Sequence, residues 1–409
     1  MKILFLTHYF YPEANAPARR VYELTRRWVR SGGEVTVVTG VPNVPRGIPY
    51  PGYRNGLLRE ETIEGVRVRR VWTYLAPNRA RVRRSLNYIS FMVSGTIGGL
   101  PIRPDVVVAT TPQLLCAVAG RWVAGARRLP FVLDVRDIWP ASISAVGAVR
   151  RGKMLSYLER IERGLYRAAV HVVTVGEGYA RHILSRRVSA ATVSVIPNGV
   201  DLQTFSPRPC RADMRARWGI ERGAFVCLYA GTVGMACGLD VVLQAAEKLR
   251  GSARGVMFVI AGDGARLDEL KSQAHRRGLR RVTFTGRIRG SEIPDVIACA
   301  DVCLVHLRSD PLFETVVPSK MFEAAAMGKP LLVGLLGEGA RWVERAGAGI
   351  CFRPGDADSL LEALEFLRRN PEVRAEMGRR GRAFVVQEHD YDKLAAKYLG
   401  ILEHVLAGE

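Results

Sequence analysis

The sequence predicts an α/β protein built from two doubly wound parallel sheets, with the two domains facing a central cleft. Its 409 residues exceed one ordinary core, because most domains contain about 100–200 residues. Short apolar runs alternate with segments of helical periodicity, which is typical of parallel sheets covered by helices. This alternation pauses near residue 200 and then restarts. Two Rossmann-like domains of similar size are therefore expected.

The first domain is predicted to span residues 1–200. It opens with a short apolar strand, Lys2–Leu6, and a helix over Pro17–Arg30, where Pro17 suits the first turn. A further helix is predicted around Met154–Tyr166. The later strands are predicted at Val35–Thr39, Val66–Val71, Val106–Ala109, Phe131–Asp134 and Val170–Val175.

The second domain is predicted to span residues 201–384, with a Pro- and Arg-rich linker at Ser206–Arg211. Helices are predicted at Leu239–Arg250 and Ala265–Arg277. The chain end is also predicted to be helical, and its last part, residues 385–409, to pack back on the first domain. The strands are predicted at Phe225–Tyr229, Met257–Ala261, Val282–Thr285, Val302–His306 and Pro330–Val333.

The cysteines and the apolar runs indicate a cytoplasmic protein. The seven cysteines are scattered, without the paired spacing of a metal site, so we expect reduced thiols. Cys299 and Cys303 lie at helical spacing but lack a second pair of ligands, which favours core packing. No secretion signal is recognisable, and no apolar run reaches the ~18 residues of a membrane-spanning helix.

Positive charge is concentrated in the first domain. Residues 1–200 carry 30 Lys and Arg against 12 Asp and Glu, whereas residues 201–409 carry 30 against 27. This asymmetry predicts an anionic partner for the first domain: nucleic acid, anionic lipid head groups or a phosphorylated acceptor. Nucleic acid is not expected, because the arginines do not alternate with aromatic residues in a recognisable binding module.

A glycine-rich loop follows the first strand of the second domain. Gly231, Thr232 and Gly234, with Gly238 beyond them, connect a strand to a helix, where backbone amides can approach a diphosphate. A tight strand-to-helix turn explains the same glycines equally well. The loop matches neither the dinucleotide fingerprint nor the phosphate loop of NTPases, so a dehydrogenase or an ATPase loses support.

The segment Pro318–Pro330 is the most specific signal. Its predicted helix starts at Ser319 and carries Lys320, which suits phosphate oxygens. Glu323, one turn further on, can accept hydrogen bonds from the two hydroxyls of a ribose. A capped surface helix with a solvated Glu is the alternative, and the spacing does not decide between them.

These motifs together resemble family 4 of the GT-B glycosyltransferases, and within it a WbuB-like branch associated with N-acetylfucosamine transfer in surface-polysaccharide synthesis. The resemblance covers essentially the whole chain. It is carried by Tyr11–Pro17, Asp134–Pro140, Gly176–Tyr179, Val195–Asp201, Gly231–Gly238, Ala261–Gly264 and Pro318–Pro330.

The resemblance implies a retaining transfer of a sugar, such as N-acetylfucosamine or N-acetylglucosamine, from a nucleotide diphosphate-sugar. UDP is the expected nucleotide, and the acceptor is expected to be linked to a polyprenyl diphosphate. Glu323 would then bind the donor ribose, and Lys320 would face the diphosphate with the amides of Ser319 and Met321. Gly231, Thr232 and Gly234 would line the phosphate side, and Gly286 and Arg287 would lie near the base.

The chain departs from the family pattern at two places. The first Glu of the family signature falls at Thr315, with Glu314 one position early. The usual Arg and Lys after the first strand of the nucleotide domain are also missing. The resemblance therefore assigns more of the phosphate neutralisation to Lys320, with Arg287 or Arg308 as a substitute cation.

Candidate residues of the first domain follow predicted strands. Asp137 is predicted to act in catalysis or to orient the acceptor. Arg136 is predicted to hold an acceptor phosphate or developing charge, with a structural pair to an aspartate as the alternative. Glu13, Asn15 and His8 are placed on the acceptor side, although a helix cap for Glu13 and core packing for His8 are the simpler interpretations.

Two further interpretations concern metals and membranes. The pairs Asp356/Asp358 and Asp390/Asp392 lie at predicted helix starts and are read as caps, so no metal or other cofactor is expected. The arginines of Arg79–Arg84 precede an apolar stretch, Ser85–Ile102, which suits an anionic membrane surface. A core helix is the alternative. An epimerase of the same fold and a nucleic-acid-binding protein are the rival functions.

Overall fold

The computed structural model describes residues 1–77, 81–140, 152–221, 223–251 and 255–408. The chain forms two compact units. The first contains Met1–Asn198 and Tyr391–Glu409, and the second contains Gly199–Asp390. The return crossing lies at residues 390–391, a few residues beyond the predicted boundary at 384.

The first unit contains an eight-stranded sheet with the order β3-β4-β2-β1-β5-β6-β7-β8. Among the strands that the structure describes in this unit, only the edge strand β3 runs antiparallel to its neighbour, β4. Its charged sequence lacks the apolar run that marked the others, so it was not predicted. The strands are β1 Lys2–Leu6, β2 Glu34–Thr39, β3 Leu58–Ile63, β4 Val66–Val71, β5 Val106–Thr110, β6 Phe131–Val135, β7 His171–Thr174 and β8 Val193–Val195.

The first unit contains helices from residues 16–185 and also the last helix of the chain. Trp28 on the first helix donates from Nε1 to the Ala395 carbonyl at 3.0 Å, and its ring contacts Tyr398 at 5.2 Å. The chain end therefore packs on the first helix. The helices are α1 Ala16–Arg30, α2 Arg81–Gly99, α3 Leu114–Arg127, α4 Lys153–Ala168, α5 Glu177–Ser185 and, from the chain end, α14 Tyr391–Ala407.

The second unit contains a six-stranded parallel sheet with the order β11-β10-β9-β12-β13-β14. Its strands are β9 Phe225–Ala230, β10 Val256–Ala261, β11 Val282–Gly286, β12 Val302–His306, β13 Leu331–Gly334 and β14 Gly349–Cys351. Its helices are α6 Ala212–Arg217, α7 Asp240–Lys248, α8 Leu267–Arg276, α9 Ile293–Ala298, α10 Lys320–Ala326, α11 Glu338–Ala346, α12 Ala357–Arg369 and α13 Pro371–Glu388.

Two expectations about local structure are corrected. The terminal helix predicted at 385–409 is interrupted, because α13 ends at Glu388 and α14 starts at Tyr391. The cysteines are not all reduced, since Cys210 and Cys299 form a disulfide. Their separation of 89 residues hides this pairing in the sequence, whereas the fold brings their Cα atoms to 4.4 Å.

Candidate active site

Lys320 is the central cation of the second unit. Its Nζ donates to the Tyr229 hydroxyl at 2.7 Å and lies 3.9 Å from the centre of that ring. The Tyr229 hydroxyl in turn donates to the Thr232 carbonyl at 2.7 Å, which ties the pair to the glycine-rich loop. Burial lowers the pKa of Lys320. An ammonium held by an aromatic ring and a hydroxyl keeps donors for an anion.

Gly231 is required beside this ammonium. Its φ of +145° suits glycine, and a Cβ there would lie 2.9 Å from the Lys320 Nζ. A Cβ on Gly262 would lie 1.8 Å from the Gly231 carbonyl oxygen, so the loop after β10 packs directly on the loop after β9. The glycines of both motifs thus bring backbone and ammonium together at the carboxyl ends of neighbouring strands.

His306 lies against the glycine-rich loop, where a Cβ on Gly238 would be 3.0 Å from its ring, and it was not predicted as a candidate. It ends β12, is buried, and accepts from the Gly355 N–H through Nε2 at 2.9 Å. Its Nδ1 therefore carries the hydrogen and donates to the Cys237 carbonyl at 2.8 Å. Burial lowers the pKa of His306, so the ring is neutral at neutral pH. A histidine ending an otherwise apolar strand was the available signal.

The helix α10 differs from its predicted role in one respect. The Met321 N–H donates to the Pro318 carbonyl at 3.0 Å, and the Met321 side chain is buried in the core. Its amide is thus not available to a diphosphate, contrary to the prediction. Ser319 is the residue before α10 and makes no side-chain cap hydrogen bond. Glu323 is partly exposed, one turn from Lys320.

The two candidate substitute cations occupy different places. Arg308 follows β12 and its side chain is exposed. Its backbone N–H donates to the Ala236 carbonyl at 2.8 Å, and its Cγ lies 3.0 Å from a Cβ built on Gly238. Arg308 is therefore beside the glycine-rich loop. Arg287 is exposed after the edge strand β11, separated from β9 by β10. Arg308 is the better placed of the two.

The position of the missing signature Glu falls in a 3-10 helix, Pro311–Thr315. Glu314 is exposed, and its carbonyl oxygen lies 2.1 Å from a Cβ built on Gly337. Thr315 is partly buried. The backbone of this segment is thus held against the glycine that precedes α11.

A buried charge network lies beneath the predicted site of the first unit. Arg20 Nη2 lies 3.2 Å from Asp134 Oδ1, and both side chains are fully buried. The same guanidinium donates to the carbonyls of Ile196 and Pro197 at 3.0 and 2.8 Å. Arg20 thereby joins α1, β6 and the segment after β8. Its role was not predicted, because two adjacent arginines, Arg19 and Arg20, are usually solvated.

Arg136 belongs to this network rather than to an open surface. Its Nε donates to the Thr111 carbonyl at 2.9 Å, and its Nη1 to the Pro17 carbonyl at 2.7 Å. Nε also lies 3.8 Å from Asp134 Oδ2. Burial lowers the pKa of Arg136 to about 10. These contacts match the structural alternative, an Arg–Asp pair that closes the loop after β6.

Asp137 follows β6 and is partly exposed, in a short turn in which the Trp139 N–H donates to the Asp137 carbonyl at 3.0 Å. Its placement at the carboxyl end of a central strand agrees with the geometry that the prediction assumed. Asp137 remains the candidate acceptor-orienting carboxylate of the first unit.

The acceptor-side residues have structural partners. Asn15, not Glu13, caps α1, with its Oδ1 accepting from the Ala18 N–H at 2.9 Å. The buried Glu13 carboxylate instead accepts from the N–H groups of Asn43 and Val44 at 2.9 and 3.0 Å. Burial raises the pKa of Glu13 to about 7. The cap interpretation of Glu13 is therefore wrong.

His8 is buried, in agreement with its interpretation as a core-packing residue. Its Nε2 lies 2.7 Å from Asn87 Oδ1 on α2, and its ring contacts Tyr9, Tyr88 and Phe91. Burial lowers the pKa of His8 to about 4, which keeps the ring neutral. A neutral buried imidazole fixed to α2 holds that helix at the end of β1.

Replacing Glu13 by Gln is expected to remove a pH-dependent loss of stability. The unfolded carboxyl ionises near its ordinary pKa of 4.5 and the folded one near 7, so the wild type loses free energy of unfolding as pH rises between these values. The Gln oxygen still accepts both N–H groups. The variant should gain up to about 3 kcal/mol relative to wild type between pH 4.5 and 8.

Thermal unfolding from pH 4.5 to 8 measures this effect. The control is Glu34→Gln, which neutralises an exposed carboxylate in the same unit. If the Tm of Glu13→Gln differs from that of the wild type by the same amount at every pH, the assignment of the raised pKa to Glu13 is wrong.

The described residues hold no helix long and apolar enough to cross a bilayer. Within those residues, no group of three or more His, Cys, Asp or Glu side chains is arranged to hold a metal ion. Of the aspartates read as caps, Asp356 does cap α12, accepting from Asp358 N–H at 2.9 Å, and Asp392 pairs with Arg27.

Both halves of the chain match glycosyltransferase families. Residues 15–199 match the Glycosyl transferase 4-like domain, and residues 211–384 match Glycosyl transferases group 1. Together these matches span most of the chain. The chain therefore belongs to the group 1 glycosyltransferases, also called family 4, and its two parallel-sheet units are those of the GT-B fold.

Particular relatives and structures agree with this class. WcaI of Escherichia coli (strain K12), a glycosyl transferase named for colanic acid biosynthesis, is 25% identical over 379 residues, covering 89% of this chain and 91% of WcaI. The GDP-mannose-dependent alpha-(1-6)-phosphatidylinositol monomannoside mannosyltransferase of Mycobacterium tuberculosis (strain CDC 1551 / Oshkosh) is 31% identical over 253 residues, 60% of this chain and 64% of that enzyme. Anabaena HepE in complex with UDP-glucose has a TM-score of 0.73 at 18% identity, covering 99% of this chain and 100% of HepE, which shows the shared fold.

Proposed function

We propose that this glycosyltransferase transfers a sugar from a nucleotide diphosphate-sugar to a lipid-linked glycan acceptor in polysaccharide biosynthesis. Donor binding is inferred from the Lys320 ammonium, which the Tyr229 ring and hydroxyl hold against Gly231. A cation at this position neutralises the diphosphate and stabilises it as the leaving group. Arg308, exposed beside the same loop, supplies the second positive charge.

The nucleoside is assigned to the same unit. Glu323 accepts the ribose hydroxyls, one turn from Lys320 along α10. UDP is the proposed nucleotide, in keeping with UDP-glucose in HepE, although the mycobacterial relative uses GDP-mannose. The transferred sugar is an N-acetylated hexosamine type, such as N-acetylfucosamine or N-acetylglucosamine. Transfer proceeds with retention at the anomeric carbon and needs no metal ion or other cofactor.

The acceptor is assigned to the first unit, with Asp137 orienting its hydroxyl. The helix α2 supports a membrane-bound acceptor. It buries Phe91 but exposes one apolar stripe of Leu86, Ile89, Val93 and Ile97, each 46–64% exposed. Of the arginines predicted to head this helix, Arg79 and the side chain of Arg81 lie outside the described part, and Arg83 is exposed. Between residues 65 and 133 the sequence has eleven Arg and one acidic residue.

This combination supports a peripheral position on an anionic membrane surface. Exposed apolar side chains insert at the interface, and each nearby arginine adds ~1 kcal/mol on an anionic surface. The lipid-linked acceptor is available on that surface. One face of α2 packs in the core, as the core-helix alternative expects, and the opposite face carries the exposed stripe on which the membrane interpretation depends.

The proposal is tested by incubating the purified protein with a panel of UDP- and GDP-sugars, with and without a membrane fraction that carries lipid-linked glycan. Nucleotide release that requires the acceptor, with an α-configured product by NMR from an α-linked donor, is the expected result. Conversion of the sugar nucleotide without acceptor would instead identify the epimerase. If no nucleotide-sugar is consumed in either arm, the proposal is wrong.

A further inference from the structure

His306 connects the end of β12 to two loops of the second unit. Its Nδ1 donates to the Cys237 carbonyl at 2.8 Å, in the 3-10 turn Met235–Cys237 of the glycine-rich loop. Its Nε2 accepts from the Gly355 N–H at 2.9 Å, in the segment between β14 and α12. Each ring nitrogen thus makes one hydrogen bond, and the two bonds go to segments far apart in the sequence.

The packing around His306 fixes the orientation of its ring. A Cβ on Gly334 would lie 2.3 Å from the His306 Cδ2, which is too close for any residue but glycine. A Cβ on Gly238 would lie only 3.0 Å from Cε1. The Phe352 ring stacks on the imidazole, with 5.9 Å between the ring centres and 16° between the planes. The ring is therefore held in the orientation that both hydrogen bonds require.

The glycine-rich loop connects this histidine to Lys320. The Cys237 thiol donates to the Thr232 carbonyl at 3.2 Å, and the Tyr229 hydroxyl donates to the same oxygen at 2.7 Å. Tyr229 in turn accepts from the Lys320 Nζ at 2.7 Å. The residue whose carbonyl accepts from His306 therefore also closes the loop on the oxygen that orients the Tyr229 hydroxyl.

The carbonyls and the amides of the 3-10 turn have different partners. The Arg308 N–H donates to the Ala236 carbonyl at 2.8 Å, so β12 and the residues after it hold two consecutive carbonyls of the turn. The N–H groups of Gly234, Met235 and Ala236 have no acceptor in the part of the chain that the structure describes. Successive backbone amides of a turn can bind an anion. His306 holds the loop in the conformation that leaves these amides available.

We propose that His306 is a positioning residue for the donor diphosphate. By holding the Cys237 carbonyl it fixes the glycine-rich loop and, through that loop, the Lys320 ammonium. This inference rests on the proposed nucleotide-sugar donor and adds a residue that acts without touching the diphosphate. Of the two hydrogen bonds of His306, the one to Cys237 acts on the donor site, and the one to Gly355 stabilises the fold.

Two substitutions separate these hydrogen bonds. In His306→Asn the amide Nδ2 takes the place of Nδ1 and can still donate to the Cys237 carbonyl, whereas the bond to Gly355 is lost. In His306→Gln the amide Oε1 takes the place of Nε2 and can still accept from Gly355, whereas the bond to Cys237 is lost. Both variants lose the ring that packs on Phe352, so their Tm values should fall by similar amounts.

UDP and GDP are the probes, with binding to the full chain measured by calorimetry. His306→Gln should bind the preferred nucleotide about 5- to 10-fold more weakly than the wild type, and His306→Asn should stay within about 2-fold, because a neutral hydrogen bond contributes this much. The control is Phe352→Leu, which removes the stacked ring but neither hydrogen bond. It should lower Tm and leave the nucleotide affinity within about 2-fold of the wild type.

Cys237 tests the same connection without changing the histidine. Cys237→Ala removes the thiol that donates to Thr232 and should weaken nucleotide binding by about 3-fold, and Cys237→Ser should restore it by supplying a hydroxyl donor. Because this change is small, it keeps the proposal testable if a His306 variant fails to fold. An unchanged affinity in Cys237→Ala would overturn the positioning role.

The outcomes separate this inference from the proposed function. Equal nucleotide affinities of His306→Asn and His306→Gln, with binding by the wild type, would overturn the positioning role and leave the donor site intact. Weakening by Phe352→Leu as large as that by His306→Gln would also overturn it, because affinity would then follow stability. If the wild type binds neither nucleotide, the proposed donor site is wrong, and this inference is wrong with it.

Discussion

Replacing Lys320 by Met is expected to lower kcat/KM for the nucleotide-sugar donor by about 100- to 1,000-fold. Met keeps most of the length of the side chain and removes only the ammonium that faces Gly231. The loss is large because the glycine-rich loop itself contains no Lys or Arg. The diphosphate leaving group would then depend on Arg308 alone.

The pH dependence of donor binding adds a second signature. Burial lowers the pKa of Lys320, so its charge is lost at a lower pH than that of an exposed lysine. Donor affinity of the wild type should therefore fall as pH rises through that lowered pKa. The Met variant should lack this decline.

Lys329→Met provides the matched control. Lys329 is also a partly buried lysine with a pKa lowered by burial, but its Nζ donates to the carbonyls of Ala298 and Ala300 at 2.8 Å. Its loss should lower Tm and leave the donor KM within about 3-fold, since both of these hydrogen bonds go to backbone carbonyls. Equal donor KM values in the two variants would contradict the role of Lys320.

Replacing Asp134 by Ala is expected to destabilise the first unit by about 3–5 kcal/mol, the range for breaking a buried ion pair. The fully buried guanidinium of Arg20, 3.2 Å away, would lose its counter-ion, and so would the nearby Arg136. Two buried cations without a carboxylate are a larger penalty than the pair itself contributes.

Calorimetric unfolding measures this loss, with Glu64→Ala as its control. Glu64 pairs with Arg30 at 3.1 Å, but both side chains are about half exposed, so its loss should cost no more than about 1 kcal/mol. Similar Tm shifts for the two variants would show that the Arg20–Asp134 pair is not the buried network described above.

Apolar pattern predicted most of the strands, because buried parallel strands are continuous apolar runs. The helix α3 was not predicted, because an apolar run that identifies a strand hides the periodicity that identifies a helix. It is apolar on most of its surface and small at the contact, where a Cβ on Gly120 would lie 2.4 Å from the Ala109 Cβ. No amphipathic period therefore marks it.

Candidate site residues could be predicted where charged side chains stand in a motif at the start of a helix. Lys320 and Glu323 sit in a specific motif, which is why the sequence predicts both as donor-binding residues. Tyr229, Arg20 and His306 were not, because their roles arise from contacts between segments far apart in the sequence. Met321 failed for a local reason, since its amide is used within its own turn.

A crystal structure of the protein with bound UDP or a UDP-sugar tests the central claim most directly. The expected result is a diphosphate within hydrogen-bond distance of the Lys320 Nζ beside Gly231, with the ribose hydroxyls on the Glu323 carboxylate. A diphosphate bound elsewhere, with Lys320 still bonded only to Tyr229 and Glu323 away from the nucleotide, would contradict the account.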